Sequence, residues 1–303
     1  PVAPDLPHTK PQFMAQSAEL IEVLKHYTPA QIASLMDLSD KLSDLNVARY
    51  QAWRPRLSAK IAKQAILAFD GDVYDGLNAK SLSTEDLLWA QEHVGMLSGL
   101  YGLLRPLDWM QAYRLEMGTR LPNPKGNTLY QFWADTLTPH LNQRLKGEDN
   151  PVVVNLASQE YFKAVDQKRL KARVVECVFE QNKAGQYKVI SFLAKRARGL
   201  MARYVIENRC DDVEQLKTCG RQLSAAGFCR RCPRPVPGPC LGAVEVGGRP
   251  ALPGPDRLGG GDHPQRPAGD DRRRPGGSGD GRARPRCQRA GLSGPHADRP
   301  GRH

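Results

Sequence analysis

The chain has 303 residues, enough for one large domain or two, and carries a formal net charge of +12, which suggests an anionic partner. The charge is uneven: residues 218–303 hold 16 Arg, no Lys and 7 acids, a net +9, which leaves +3 for residues 1–217. No apolar run reaches the ~18 residues of a membrane span, no charged-then-apolar signal segment is read, and Cys177 and Cys210 are too few for a disulfide framework in residues 1–217, so a reduced, cytoplasmic setting is expected.

The first third reads as helices joined by short links. Phe13, Ser17, Leu20 and Leu24 share one face of a helix over 12–25. Thr28 and Pro29 cap and open a second helix, residues 39–53 read as a third, and Ile61, Ala65 and Ala68 mark a fourth over 58–69. The turn at 70–76, DGDVYDG, fails as a calcium loop, because the fifth and twelfth positions from Asp70 are Tyr74 and Ser81. Thr84 caps the next helix, whose apolar stripe is Leu87, Ala90, Val94 and Leu97.

That helix runs into the stretch 92–133, dense in glycine, proline, tyrosine and charge, a composition that often marks a functional surface. Ser98 is out of step with the G-x-S-x-G elbow of a serine hydrolase, and Gly99 and Gly102 make no dinucleotide fingerprint. Gly99-Leu100-Tyr101-Gly102, read with a helix on each side, can grip a phosphate through its backbone N–H groups and is similar to the hairpin of helix-hairpin-helix modules. The plainer reading is a helix C-cap and turn. A helix is expected over 128–145, kinked at Pro139, then a buried strand over 151–155. Residues 173–179 and 187–192 are expected to pair as a hairpin across 182–185, so the sheet is at least partly antiparallel. The last helix, 194–208, crowds Lys195, Arg196 and Arg198 into its start, with Arg203 further on, and cations there oppose the helix dipole unless an anion compensates.

Several of these segments carry a family resemblance: LSDK at 38–41, AILAFDGDVY at 65–74, LSGLYGLLRPLD at 97–108, YRLEMG at 113–118, NLAS at 155–158 and ARGLMAR at 197–203. Together they make residues 1–217 similar to the bacterial YaaA-type peroxide-stress proteins. The resemblance implies a mixed α/β domain peculiar to the family, cytoplasmic, active against peroxide- and iron-dependent damage, and binding double-stranded or branched DNA through a basic cleft and a helix-hairpin-helix element. It implies no cofactor, metal or established catalytic activity. Members open with a strand and a Ser-Pro-Ala-Lys-Thr-Leu segment that would precede Pro1, and its lysine is absent from this sequence.

The DNA-contacting set expected from charge, glycines and resemblance is Gly99, Leu100, Tyr101, Gly102, Arg105, Lys195, Arg196, Arg198 and Arg203. The alternative is an enzyme acting on a small molecule or damaged nucleotide, with Asp72, Tyr113, Arg114, Glu116 and Tyr161 converging in a polar cleft. Arg114 and Glu116 are expected on opposite faces of an extended segment, which weighs against that reading. Residues 218–303 contain 18 Gly, 13 Pro, 16 Arg and 8 Ala, with no Ile, Tyr, Trp, Met, Asn or Lys, and such a composition cannot bury a core. It reads as translation of a GC-rich gene in a shifted frame, the alternative being a basic disordered arm. Cys229 and Cys232 lack the second pair that a structural zinc site needs, with only Cys219, Cys240 and His263 nearby. The tail is therefore expected to leave 1–217 untouched.

Overall fold

Buried residues recurring at helical spacing fold residues 14–52 as three helices, and among these only α2 has a side-chain N-cap hydrogen bond. α1 (Met14–Lys25) buries Leu20, Ile21 and Leu24. α2 (Pro29–Met36) starts with a capping box in which Thr28 and Gln31 satisfy each other's backbone N–H groups. α3 spans Asp40–Ala52. The computed structural model describes residues 6–183, 186–225, 240–245 and 249–250, all within one compact unit, Pro1–Gly254. Ala184 and Gly185, where a hairpin turn was expected, and Cys229, Cys232 and His263 lie outside the described residues.

The fourth predicted helix is instead three short pieces: β1 (Lys63–Gln64), α4 (Ala65–Ala68) and β2 (Phe69–Asp70). Ala65 and Ile66 donate their backbone N–H groups to the Asp108 and Pro106 carbonyls, so tertiary partners replace the helical ladder. α5 (Asp72–Leu77) follows, then a 3-10 turn and α6 (Thr84–His93), whose N-cap is Ser83 rather than Thr84. Chain direction then changes. Val94–Ser98 is not the end of a helix but a fully buried strand, β3, followed by β4 (Gly102–Leu104) and β5 (Trp109–Met110). Next come α7 (Leu129–Trp133) and α8 (Leu137–Arg144), with Pro139 in the first turn of α8, where its missing N–H is harmless. β6 (Val152–Leu156), α9 (Gln159–Phe162), β7 (Arg173–Glu176), β8 (Gln181–Lys183), β9 (Gln186–Lys188), α10 (Ser191–Glu207), α11 (Val213–Ala225), β10 (Cys240–Glu245) and β11 (Arg249–Pro250) complete the order.

The main sheet has the order β4-β3-β10-β6-β7. β3, β10, β6 and β7 run parallel, and only β4 is antiparallel, to β3. Parallel strands covered on both faces read as continuous apolar runs, and Val152–Leu156 is buried at all five positions. The predicted pairing of 173–179 with 187–192 does not form: β7 lies parallel to β6, and the small hairpin is β8 with β9. Helices cover the sheet, and the fold is mixed α/β.

The expectation that residues beyond Lys217 leave the body untouched is also corrected. α11 crosses that point, Cys219 is buried in the core, and β10 fills the position between β3 and β6. α10 meets α5 backbone to backbone. A Cβ on Gly199 would stand 1.8 Å from the Val73 carbonyl oxygen, and one on Gly76 2.2 Å from that of Arg196. None of the described helices is long and apolar enough to cross a membrane.

Candidate functional site

The stretch from Gly99 to Gly102 is the middle of the core. It links β3 to β4, so strands and not helices flank it, and Leu100 and Tyr101 are fully buried. The Trp133 indole donates to the Gly99 carbonyl (2.9 Å), the Trp53 indole to the Tyr101 hydroxyl (3.0 Å), and the Tyr101 amide to Ser98 Oγ (2.9 Å). Gly102, at φ 69°, faces the Trp133 ring so closely that a Cβ would lie 2.7 Å from it. Such a turn offers no backbone N–H groups to a phosphate, and the predicted hairpin contacts are withdrawn. Tyr113 shares this core, hydrogen-bonded to Ser98 Oγ. Burial pushes the Tyr113 phenol far above its ordinary range and the Tyr101 phenol up to about 12, so both stay protonated at neutral pH.

The remaining predicted residues part company. Arg203 pairs with Glu207 at 2.6 Å and donates to the Leu77 and Asn78 carbonyls and Ser81 Oγ, which makes it a clamp on the end of α5. Asp72 is exposed in the first turn of α5. Arg105 lies with Asp108 in a separate hollow near the start of β3. Arg196 is exposed on α10.

A cleft of about 670 Å³ gathers the others. It opens beyond the carboxyl ends of β6 and β7, where open α/β sheets commonly bind ligands. Glu116, Tyr161, Lys195 and Arg198 line it, together with Ser158, Glu160, Glu176 and Cys177, which the sequence reading did not single out as site residues. Arg114 and Glu116 are not on opposite faces. One residue separates them, period two puts both side chains on one side, and they pair at 2.6 Å. Each cleft carboxylate is held by its own donor. Arg114 holds Glu116, the Asn155 amide donates to both Glu176 oxygens (3.1 and 2.9 Å), and the Gly118 N–H donates to Glu160 at 2.8 Å. Asn155 is itself oriented by the Ala157 N–H, which donates to its side-chain oxygen at 2.9 Å. The NLAS segment was therefore the available signal for this wall.

The cleft's charges are mixed: three carboxylates face Lys195 and Arg198. Its floor is not a basic trough. Both lining cations come from one element, α10, whose first turn holds no acid, and Arg196 is exposed between them in sequence. Among the described residues, no group of three or more His, Cys, Asp or Glu side chains could hold a metal ion.

The family model described as "Peroxide stress protein YaaA" matches residues 2–228. The chain belongs to the YaaA peroxide stress family. Curated relatives described as "UPF0246 protein" are similar to this chain. That of Albidiferax ferrireducens is 64% identical over 217 residues, 72% of this chain and 83% of the relative. That of Polaromonas sp. is 64% identical over 210 residues, 69% of this chain and 81% of the relative. For Leptothrix cholodnii the figure is 55% over 250 residues, 82% of this chain and 89% of the relative.

Proposed function

We propose that this YaaA-family protein serves the peroxide stress response by binding DNA through phosphate contacts, along the rim formed by Lys195, Arg196 and Arg198. The supporting observation is the start of α10. Three cations sit within eight residues of a helix N-terminus with no acid in its first turn. The helix starts at Ser191, three residues before the expected Ala194, so these cations are its fifth, sixth and eighth residues, one turn past the dipole's end, and a phosphate backbone would meet them along the side of the helix. The three cleft carboxylates would keep a phosphate backbone out of the interior, so the contact is superficial and carries little base readout.

Fluorescence anisotropy on a duplex and on a branched DNA, at several salt concentrations, tests this. Wild-type binding should weaken steeply with salt. Replacing Lys195, Arg196 and Arg198 together by Gln should flatten the slope of log K against log salt by roughly 3, about one per lost phosphate contact. Binding that ignores salt, or a triple variant that binds like wild type, sinks the reading.

The anchored carboxylates favour a second reading, an enzyme acting on a small molecule in the cleft. Carboxylates fixed by separate donors suit general acid–base work. If Glu116→Gln or Glu176→Gln abolishes peroxide survival in a complemented strain while DNA binding is unchanged, the enzyme reading gains over the first.

A further inference from the structure

At the other end of the sheet from the cleft, near the start of β3, lies a hollow of about 300 Å³ lined by Gln12, Glu92, Leu103, Arg105, Asp108, His140 and Arg144. Its donors are arranged without enough acceptors. One terminal nitrogen of Arg144 donates to the Glu92 carbonyl at 2.9 Å, while the other, Nη1, is buried with no hydrogen-bond partner. A buried guanidinium N–H left unmatched is costly, and native structures seldom leave one without a reason. Nη1 lies beside Gly95, at ordinary contact distance (3.5 Å) from where a Cβ would stand.

The acids around the hollow do not supply the missing acceptor. Asp108 already accepts from Thr9 Oγ1 (2.6 Å), the Arg105 backbone N–H (2.8 Å) and the Arg105 guanidinium (3.2 Å). Glu92 is exposed and meets Arg144 through its backbone carbonyl. His140 stands edge-on to Phe13 at 5.0 Å. Burial first, and then Arg144 and Arg105, hold the His140 imidazole below its ordinary range. Burial and Arg105 do the same to Arg144, against a smaller opposing effect of Glu92 and Asp108. The hollow is therefore a place where positive charge is disfavoured as it stands and an anion would be welcome.

We propose that this hollow binds a small oxyanion of the phosphate class, held by Arg144, Arg105 and His140. Two guanidinium groups and an imidazole match the several acceptor oxygens of such an anion. A hollow of this size takes a free phosphate or the terminal phosphate of a small ester, not a phosphodiester inside a duplex. The site is thus separate from the α10 rim.

Isothermal titration of the full chain with inorganic phosphate, at ionic strength fixed with chloride, tests the proposal. Saturable binding is expected, with a matching rise in Tm. Arg144→Met should weaken it about tenfold or more, the loss of a charge-assisted hydrogen bond, and His140→Asn should weaken it too. Lys195→Gln/Arg198→Gln should bind phosphate like wild type even if DNA binding is lost, which separates this site from the proposed DNA surface. If Arg144→Met does not fold, His140→Asn decides. Glycerol 3-phosphate binding at least as tightly as inorganic phosphate assigns the site to a terminal ester, and tighter inorganic phosphate assigns it to the free ion. The proposal is overturned by no saturable binding, by acetate binding equally well, by wild-type affinity in His140→Asn, or by equal loss in the α10 variants.

Discussion

Gly99 shows how one residue type can mislead in a functional reading and still be decisive for structure. Its glycine identity is required by contact: a Cβ would lie 2.2 Å from the Leu115 carbonyl oxygen, a backbone atom that cannot swing away. Gly99→Ala should therefore cost about 1–3 kcal/mol, the usual penalty of forcing extra volume into a packed interior, read as a lower denaturant midpoint. Its salt slope for DNA should stay that of wild type, because no exposed N–H is lost. A variant as stable as wild type would mean the turn can open, and the buried hairpin would need revising. The tyrosines follow the same logic. Tyr101 and Tyr113 looked like polar site residues, but they spend their hydroxyls on Trp53, Gln111 and Ser98 inside the core.

At the scale of elements, α1 to α3 were legible from residue spacing, whereas the helix expected over 58–69 gives way to short pieces because Ala65 and Ile66 donate to the Asp108 and Pro106 carbonyls. Thr28 is the N-cap and Pro29 opens the helix, as the Thr-Pro signal suggested, and the structure adds a capping box with Gln31. The error over 94–98 has a physical source. Val94 and Leu97 fit a helical stripe begun at Leu87, yet the run VGMLS is also what a strand buried on both faces looks like, and a short apolar run does not distinguish the two. From that misassigned strand came the helix-hairpin-helix expectation. The parallel pairing of β6 with β7 was likewise hidden, since it joins segments separated by α9 and nothing local announces it. Of the site, Lys195, Arg198 and Glu116 were legible as charge, whereas Glu160 and Glu176 were not, because their roles come from Gly118 and Asn155, brought up by the fold. The least legible element is β10, from a segment whose composition argues against any core. Its ladder makes a sharp prediction. Val244 pairs with Met96 on one side and Leu156 on the other. Proline does not belong in a central strand, and Val244→Pro should cost at least about 1–3 kcal/mol for the unmatched backbone groups it leaves. Thermal unfolding measures this, and a neutral substitution would show that β10 does not hold the sheet together in solution.

Over the whole molecule, positive charge is denser at the end than in the body, with a net +7 spread over residues 1–250. Residues 251–303 carry 11 Arg against 6 acids, a net +5, with no Lys. Charge of this kind attracts nucleic acid without reading its sequence and is released by salt. The α10 rim and the tail are therefore two electrostatic contributors that a binding curve on the full chain would mix. Ending the chain after Pro250 retains every described strand, including β10 and β11. The shortened protein should keep the melting temperature of the full chain to within a few degrees, while its log K against log salt becomes less steep. Combining the truncation with the Lys195, Arg196 and Arg198 substitutions should remove most of what slope remains. If the truncated protein instead keeps the full slope, the tail takes no part in binding and the α10 rim must supply all of it. If it loses DNA binding altogether at unchanged stability, the tail is the DNA-binding element, and the cations at the start of α10 are a solvated helix face.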